Sequence, residues 1–422
     1  MNNLVKNYSN FTLFIIPISF IIGIAVTEFF VFLSILLFLI FNKQHNVFKD
    51  FKVLFLILFS IYIFLNALFQ ISGELKISSL VYFRFFLFSL SIVYFCQMYE
   101  NGKNNIFYLI LIFAFSLLIL DSFFQFFHGK NITGLEITKN RISSFFGDDL
   151  VLGSFLVRFL PLIIWLSYYS KFKIKNFSFY YLIFFSLYFI TIYLSGGRTS
   201  FAFLIILIFL ILIFIKSLRK IFFFSTIIMI IFIIISTLLN FGKTNPSNRL
   251  FIKTYFQLTN KKLFDDKKIY TIHRQSAPKD HKGHFELAWK IFKENKLFGN
   301  GPKGFKYYCK GVNYNPPVGI CSNHPHNIIF QLASELGIIG ILFYLSAALF
   351  VIYNFLKGVL REMKDEKYTL FCLSTFSMFI NFFPFLTSGN FFNNWISIIT
   401  YYNIGIYFYS YQKIFQNEKK CI

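Results

Sequence analysis

Long apolar runs separated by short polar gaps organise this chain, and each is of the length a helix needs to cross a bilayer, about 20 residues. The first, Phe11 to Phe41, is interrupted by Pro17, Gly23 and Glu28, which predicts two short helices near 11–25 and 27–41 rather than one. Further spans are predicted near 53–70, 79–98, 105–127, 149–169, 177–195, 199–215 and 221–241. A polar insert of 84 residues, 242–325, follows, and three more spans are expected near 326–355, 368–387 and 391–410. No small-residue cleavage site follows the first apolar stretch, so it is read as a span and not as a removable signal peptide. The pattern predicts an all-α polytopic membrane protein with about twelve transmembrane helices. Three blocks follow: 1–241 with spans one to nine, 242–325 as a large loop carrying an amphipathic helix, and 326–422 with spans ten to twelve and a tail.

Composition agrees. Of 422 residues, 56% are hydrophobic, 22% aromatic and 14% charged, with mean hydropathy +0.62. A water-soluble domain carries nearer ~25% charge, so a cytosolic enzyme is excluded, and disorder needs far lower hydrophobicity. The 66 Phe, with abundant Ile, Lys and Asn, fit an AT-rich genome better than an aromatic binding surface.

The net charge of +23 would suggest nucleic acid if it lay on one soluble face. It lies instead in the short gaps and the insert, so no nucleic-acid partner is expected. With the N-terminus inside, cytoplasmic gaps hold Lys43, Lys49, Lys52, Lys171, Lys173, Lys175, Lys216, Arg219, Lys220, Lys357, Arg361, Lys364 and Lys367. The opposite short gaps hold far fewer, Lys76, then Lys130, Lys139 and Arg141, which is the positive-inside pattern. An even number of spans returns the C-terminus to the cytoplasm and makes the insert extracytoplasmic. Its 16 Lys+Arg against 5 Asp+Glu are exempt from that rule in a long loop. An anionic ligand or anionic headgroups would account for them, although the run Lys261, Lys262, Lys267, Lys268 reads as a solvated face.

Cys309 and Cys321 both fall in the outward loop, where a disulfide persists; two free thiols are the alternative. No Cys/His spacing matches a zinc site, no phosphate-binding glycine loop is present, and no Asp-x-Asp pair offers a nucleotide-sugar metal site. No metal and no cofactor are expected.

Charged residues within spans are costly and count as functional candidates: Glu28, Arg84, Asp121, Arg158 and Glu335. Some will pair across helices, and Glu28 and Asp121 are read as structural. Arg198 sits in Ser195-Gly196-Gly197-Arg198-Thr199-Ser200, a turn between spans seven and eight. Two glycines admit a sharp turn and a close ligand, and a guanidinium grips phosphate with two parallel hydrogen bonds. From the residue alone, an interfacial snorkelling arginine explains it equally well.

The strongest constellation is Cys321-Ser322-Asn323-His324-Pro325-His326-Asn327 running into an apolar helix. Pro325 fits a helix first turn, which would place His326 in that turn beside unpaired N–H groups and keep its imidazole neutral as a base. Phe330, Ala333, Gly337 and Gly340 would share its face, so that another helix packs close beneath it. In the insert, Phe285, Ala288, Trp289 and Phe292 form a helical stripe ending at Gly299-Asn300-Gly301-Pro302. This stripe is expected on the outer membrane surface or as a roof over the bundle, with Arg274, Lys282, Lys290, Lys293 and Lys296 facing headgroups or an anionic substrate.

His326-Asn327, nine residues, Gly337, two residues, Gly340 resembles the signature of the bacterial O-antigen ligase family, whose superfamily includes O-antigen polymerases and protein O-oligosaccharyltransferases. Further matching stretches are Arg141 through Gly147-Asp148-Asp149 to Gly153-Ser154 and Arg158, the Arg198 turn, Trp289 with Gly299-Asn300-Gly301-Pro302 and Phe305, and Ser388 through Trp395. The resemblance implies a GT-C-like inner-membrane enzyme with its active site facing the periplasm. It implies metal-independent, inverting transfer of a glycan from undecaprenyl diphosphate, with lipid A core, or a growing glycan, as acceptor. His326 would then be the catalytic base and Arg198 a diphosphate ligand. Family members place an arginine just before the loop tryptophan. Here His284 and Phe285 stand in that neighbourhood, leaving Arg274 or His284 as the second ligand, with His324, Asn327 and Arg141 as supporting residues. A polymerase or protein glycosyltransferase would use the same donor. A flippase or transporter predicts internal repeats, and none is evident.

Overall fold

The computed structural model describes residues 2–41, 51–69, 77–99, 106–170, 179–259, 281–310, 322–360 and 366–415. Among them the architecture is all-helical, with two isolated bridges, Lys130 to Glu136 and Thr138 to Arg141, as the extended pairings. Helices α1 (Asn2–Ile22) and α2 (Ile24–Phe41) break at Gly23, within the first apolar run, where the sequence pattern places an interruption. There follow α3 (Phe51–Leu68), the one-turn α4 (Ile77–Leu80), α5 (Arg84–Tyr99), α6 (Ile106–His128), α7 (Leu152–Tyr169), α8 (Phe179–Leu194), α9 (Arg198–Phe214) and α10 (Arg219–Leu239). The insert region contributes α11 (Lys253–Thr259), α12 (His281–Glu294) and α13 (Gly304–Lys310), and the chain closes with α14 (Ile328–Leu360), α15 (Glu366–Asn381) and α16 (Asn394–Phe415). Among the described residues, six helices are long and apolar enough to cross a membrane, and four shorter apolar helices accompany them. This is a polytopic membrane protein by length and composition.

The last helix, α16, lies at the centre and is buried along most of its length. Gly405 lets it approach α5, where a Cβ would meet the Ser89 carbonyl oxygen at 2.6 Å and Ile92 at 2.7 Å. Aromatic hydroxyls tie it in on other sides. Tyr402 donates to the Leu13 carbonyl at 2.6 Å, and the Trp165 indole N–H donates to the Ser410 hydroxyl at 2.9 Å. Such partners are required, because a buried polar group without one is costly in a medium lacking water. Two of the charged span residues satisfy each other: Arg84 pairs with Glu28 at 3.1 Å. Asp121 is structural as expected. It accepts from the Ile132 backbone N–H at 2.8 Å, from Asn131 and from the Ser144 hydroxyl, holding the 129–144 loop over α6.

Helix α14 departs from expectation. Its sequence reads as one continuous span, yet it breaks at Gly337 (φ 64°, ψ −160°), a conformation open essentially to glycine. The break does not admit a neighbouring helix, as the small-residue stripe suggested. It receives the backbone of residues 296–301. Ile338 N–H donates to the Lys296 carbonyl at 2.8 Å, Asn300 N–H to Ser334 at 2.9 Å and Gly301 N–H to Glu335 at 2.9 Å. A Cβ on Gly337 would overlap the Leu297 carbonyl group, and one on Gly299 would lie 2.5 Å from the Glu335 carbonyl carbon. The two glycines are thus a backbone-to-backbone seam fastening the insert to the bundle. Gly337→Ala should lower the melting temperature by roughly 5 °C or more, since strain of about 1–3 kcal/mol adds to the overlap. Thermal unfolding in detergent reads it directly, and an unchanged melting temperature would mean the seam is not rigid.

Candidate functional site: an arginine cavity joined to a histidine cluster

The turn between α8 and α9 forms as the sequence suggests. Gly196 has φ 62°, and its Cα is approached by Arg141 Cγ and Arg249 Cδ, each 3.5 Å from where a Cβ would stand. Gly153, near the start of α7, packs so closely on Ser195 and Ser200 that a side chain there has no room. These small residues draw three segments together around a cavity of about 310 Å³, whose lining includes Arg141, Arg158, Arg198 and Arg249 and, among the described residues, no carboxylate.

Each arginine is placed by a different element. Arg141 comes from the loop after α6 and donates from Nε to the Ser195 carbonyl and from Nη2 to the Leu150 carbonyl, both at 3.0 Å. Arg158, one turn inside α7, hydrogen-bonds Ser154 and lies over the Trp395 ring with 5.8 Å to its centroid. Arg198 opens α9. Arg249 lies in the short π-helical segment Asn248–Ile252 before α11, and its Nε has no hydrogen-bond partner among the described residues.

Burial lowers the Arg141 pKa to about 10, with the Arg249 charge adding to the effect, and burial also lowers that of Arg249. Lys253, one turn on, is lowered by burial and then by Arg249 and Arg198. At about 10, Arg141 lies far enough above neutrality to keep its charge. The cavity therefore concentrates positive charge, which an anion with several oxygens would suit.

The histidines assemble at the adjoining wall. His326 stands in a left-handed conformation (φ 61°), its ring centroid 4.2 Å from that of His324 and 5.1 Å from that of His284. It is not in a helix first turn. Asn327 is the cap: its Oδ1 accepts from the Ile329 and Phe330 N–H groups at 2.9 and 3.3 Å, and α14 begins at Ile328. Those donors are occupied, so the helix end does not offer them to an anion. Asn327 also donates to the Pro384 carbonyl at 2.7 Å, so both ends of its amide are structural.

The segment before α16 connects the two groups. The Ser388 N–H donates to the His326 carbonyl at 2.9 Å, and the Ser388 carbonyl lies 3.1 Å from His324 Nε2. Next to it, the Thr387 hydroxyl meets the Thr199 hydroxyl at 2.5 Å, and Thr387 and Gly389 both line the arginine cavity.

Helix α12 packs against α14 and α13. It buries His284, Leu287, Ala288 and Ile291, one residue out of register with the stripe read from the sequence, and Trp289 faces outward beside Phe292. Phe285 stacks on Phe330 of α14 with 4.6 Å between centroids. Arg274 and Cys321, like the side chains of Cys309 and Lys282, lie outside the described residues. Among those that are described, Arg249 is the cavity arginine without a counterpart in the sequence analysis, and Arg158 entered there as an intramembrane charge and within a stretch of the resemblance, with no role assigned. No three His, Cys, Asp or Glu side chains among the described residues are placed to hold a metal ion.

Residues 183–345 match the family model described as O-antigen ligase. That stretch takes in Arg198, Arg249, the insert, the histidine cluster and the break at Gly337. No curated protein matches the chain.

Proposed function

We propose, on the premise that this chain belongs with the O-antigen ligases and polymerases, that it transfers a glycan from undecaprenyl diphosphate to a hydroxyl of lipid A core at the outer face of the inner membrane. The observation that carries this reading is the cavity with four guanidiniums and, among the described residues, no carboxylate, joined through Thr387, Ser388 and Gly389 to His324 and His326. A lipid diphosphate is the group such a cavity suits, and the neighbouring imidazole stands where an acceptor hydroxyl would approach. The acceptor oxygen attacks the anomeric carbon as its proton passes to His326. The bond from that carbon to the diphosphate oxygen breaks on the opposite face, which inverts the centre. The bonding pair leaves on the diphosphate, where fixed arginine charge stabilises it without reorganisation. The cations fill the role a divalent metal has in many diphosphate sites, so transfer should survive EDTA.

The test is reconstitution of the purified chain in lipid nanodiscs with undecaprenyl-diphosphate glycan and EDTA, with and without lipid A core. Glycan on the core establishes a ligase. Lengthening of the lipid-linked glycan without transfer to core assigns the same donor chemistry to a polymerase. No transfer of any kind, with donor binding absent, rejects the reading.

A further inference from the structure

A second cavity of about 220 Å³ lies behind the arginine cavity, lined by residues including Asn140, Tyr193, Asn240, Phe241, Thr244 and Asn245. Its chemistry differs from its neighbour's: amides, hydroxyls and aromatic rings, with Lys243 the one charged residue at its edge, and no carboxylate, among the described residues. We infer that it is a carbohydrate subsite that holds one pyranose ring of a glycan by its hydroxyl groups. How the glycan is oriented there rests on the reading above; the chemistry of the cavity does not.

Three features support the assignment. The volume is below the range of drug-sized pockets, about 300–1,000 Å³, and suits a single ring. The Thr244 hydroxyl lines the cavity at 8% exposure of its residue and has no hydrogen-bond partner among the described residues. Such a group is costly to leave unmet, and a ligand hydroxyl both donates and accepts. The loop is also built to keep the cavity open. Asn240 ends α10 in a left-handed conformation (φ 50°), and its side-chain oxygen accepts from Asn245 at 3.4 Å, setting two amides side by side. Gly242 (φ 93°) lies against the Phe126 ring, where any side chain would collide, and Lys243 N–H is pinned to the Phe126 carbonyl at 2.9 Å.

The position matters as much as the lining. Asn140 directly precedes Arg141, and the tight turn from Tyr193 to Gly196, closed by a 3.0 Å hydrogen bond, separates the two cavities. A glycan whose diphosphate sat among the arginines would have a sugar within reach of this second site. An acceptor glycan offers the same hydroxyls.

The experiment uses the full chain in nanodiscs and saturation-transfer NMR with two probes: the oligosaccharide released from the lipid-linked donor by mild acid, and core oligosaccharide freed of lipid A. Saturable binding of either probe is expected, weakened roughly 5–10-fold by Thr244→Val and by Asn240→Gly. Both variants keep the local shape, the first by being isosteric and the second because glycine accepts the left-handed conformation. Arg198→Ala should leave this binding unchanged, because neither probe carries a diphosphate. Which probe binds assigns the subsite to the donor or the acceptor side. No saturable binding of either, or equal binding by wild type and both variants, overturns the proposal. Intact glycan binding in a protein that transfers nothing would reject the enzymatic reading and leave the subsite standing.

Discussion

His326→Ala should lower kcat by about 10²–10⁴-fold while changing the KM for the lipid-linked donor by no more than about threefold. The expectation follows from where the ring stands. Its backbone is held from the 384–390 segment by the Ser388 N–H, and its ring sits against His324 and His284, clear of the four arginines that would hold the donor. A base removes the acceptor proton only in the transition state, so its loss falls on kcat and spares donor binding. His326 is left-handed, and alanine there adds strain unrelated to chemistry. His326→Asn provides the control, because asparagine tolerates that conformation and cannot serve as the base. Equal loss in both variants, measured by initial rates in nanodiscs, identifies a chemical role. Wild-type rates in His326→Asn would remove His326 from the mechanism.

Arg249→Ala is the second large effect: a fall of about 10²–10³-fold in kcat/KM for the donor, with Arg249→Lys recovering little of it. Its Nε has no partner among the described residues, and its charge is felt by both Arg141 and Lys253, whose pKa values it helps to lower. A basic group whose folded pKa lies below its ordinary value has its charged form disfavoured in the fold, and Arg141, at about 10, bears that cost at neutral pH. Bound anion offsets that cost. Inorganic pyrophosphate should therefore raise the melting temperature of the wild type, by about 2.7 kcal/mol of stabilisation at a hundred times its Kd, and raise that of Arg249→Ala far less. An equal rise in both proteins would place the anion elsewhere.

The contrast between Arg198 and Arg249 explains what the sequence made legible. Arg198 is flagged locally, because two glycines precede it and apolar spans flank it. Arg249 sits in a polar insert with 16 basic residues, and nothing within its own segment marks it. Its role arises from the approach of that segment to Gly196, 53 positions earlier, which no local pattern encodes. Most helix positions were readable to within several residues because hydropathy sums over many side chains, although α1 begins at Asn2, ahead of the predicted start at 11. The start of α14 was misread because proline is a strong helix-start signal, yet Asn327 just after it is the better cap and took that place. The break at Gly337 was hidden because its cause lies in the backbone of Leu297 and Gly299. On α12 the buried face carries His284, Leu287, Ala288 and Ile291, one position from the apolar stripe, because a histidine fills a place that hydropathy alone does not count as apolar.

The burial of α16 bears on how the protein is made. Ribosomes release the chain from its N-terminus, so α16, buried along most of its length, emerges after the helices it packs among. Until it does, the slot bounded by Leu13, Ser89, Ile92 and Trp165 is unfilled, and Thr387 and Gly389 have not yet closed the arginine cavity. A nascent chain that has inserted only its earlier helices carries a set of buried cations in an unfinished assembly. Insertion of α16 is thus a keystone step, and the competent site comes into being only once that helix has entered the membrane.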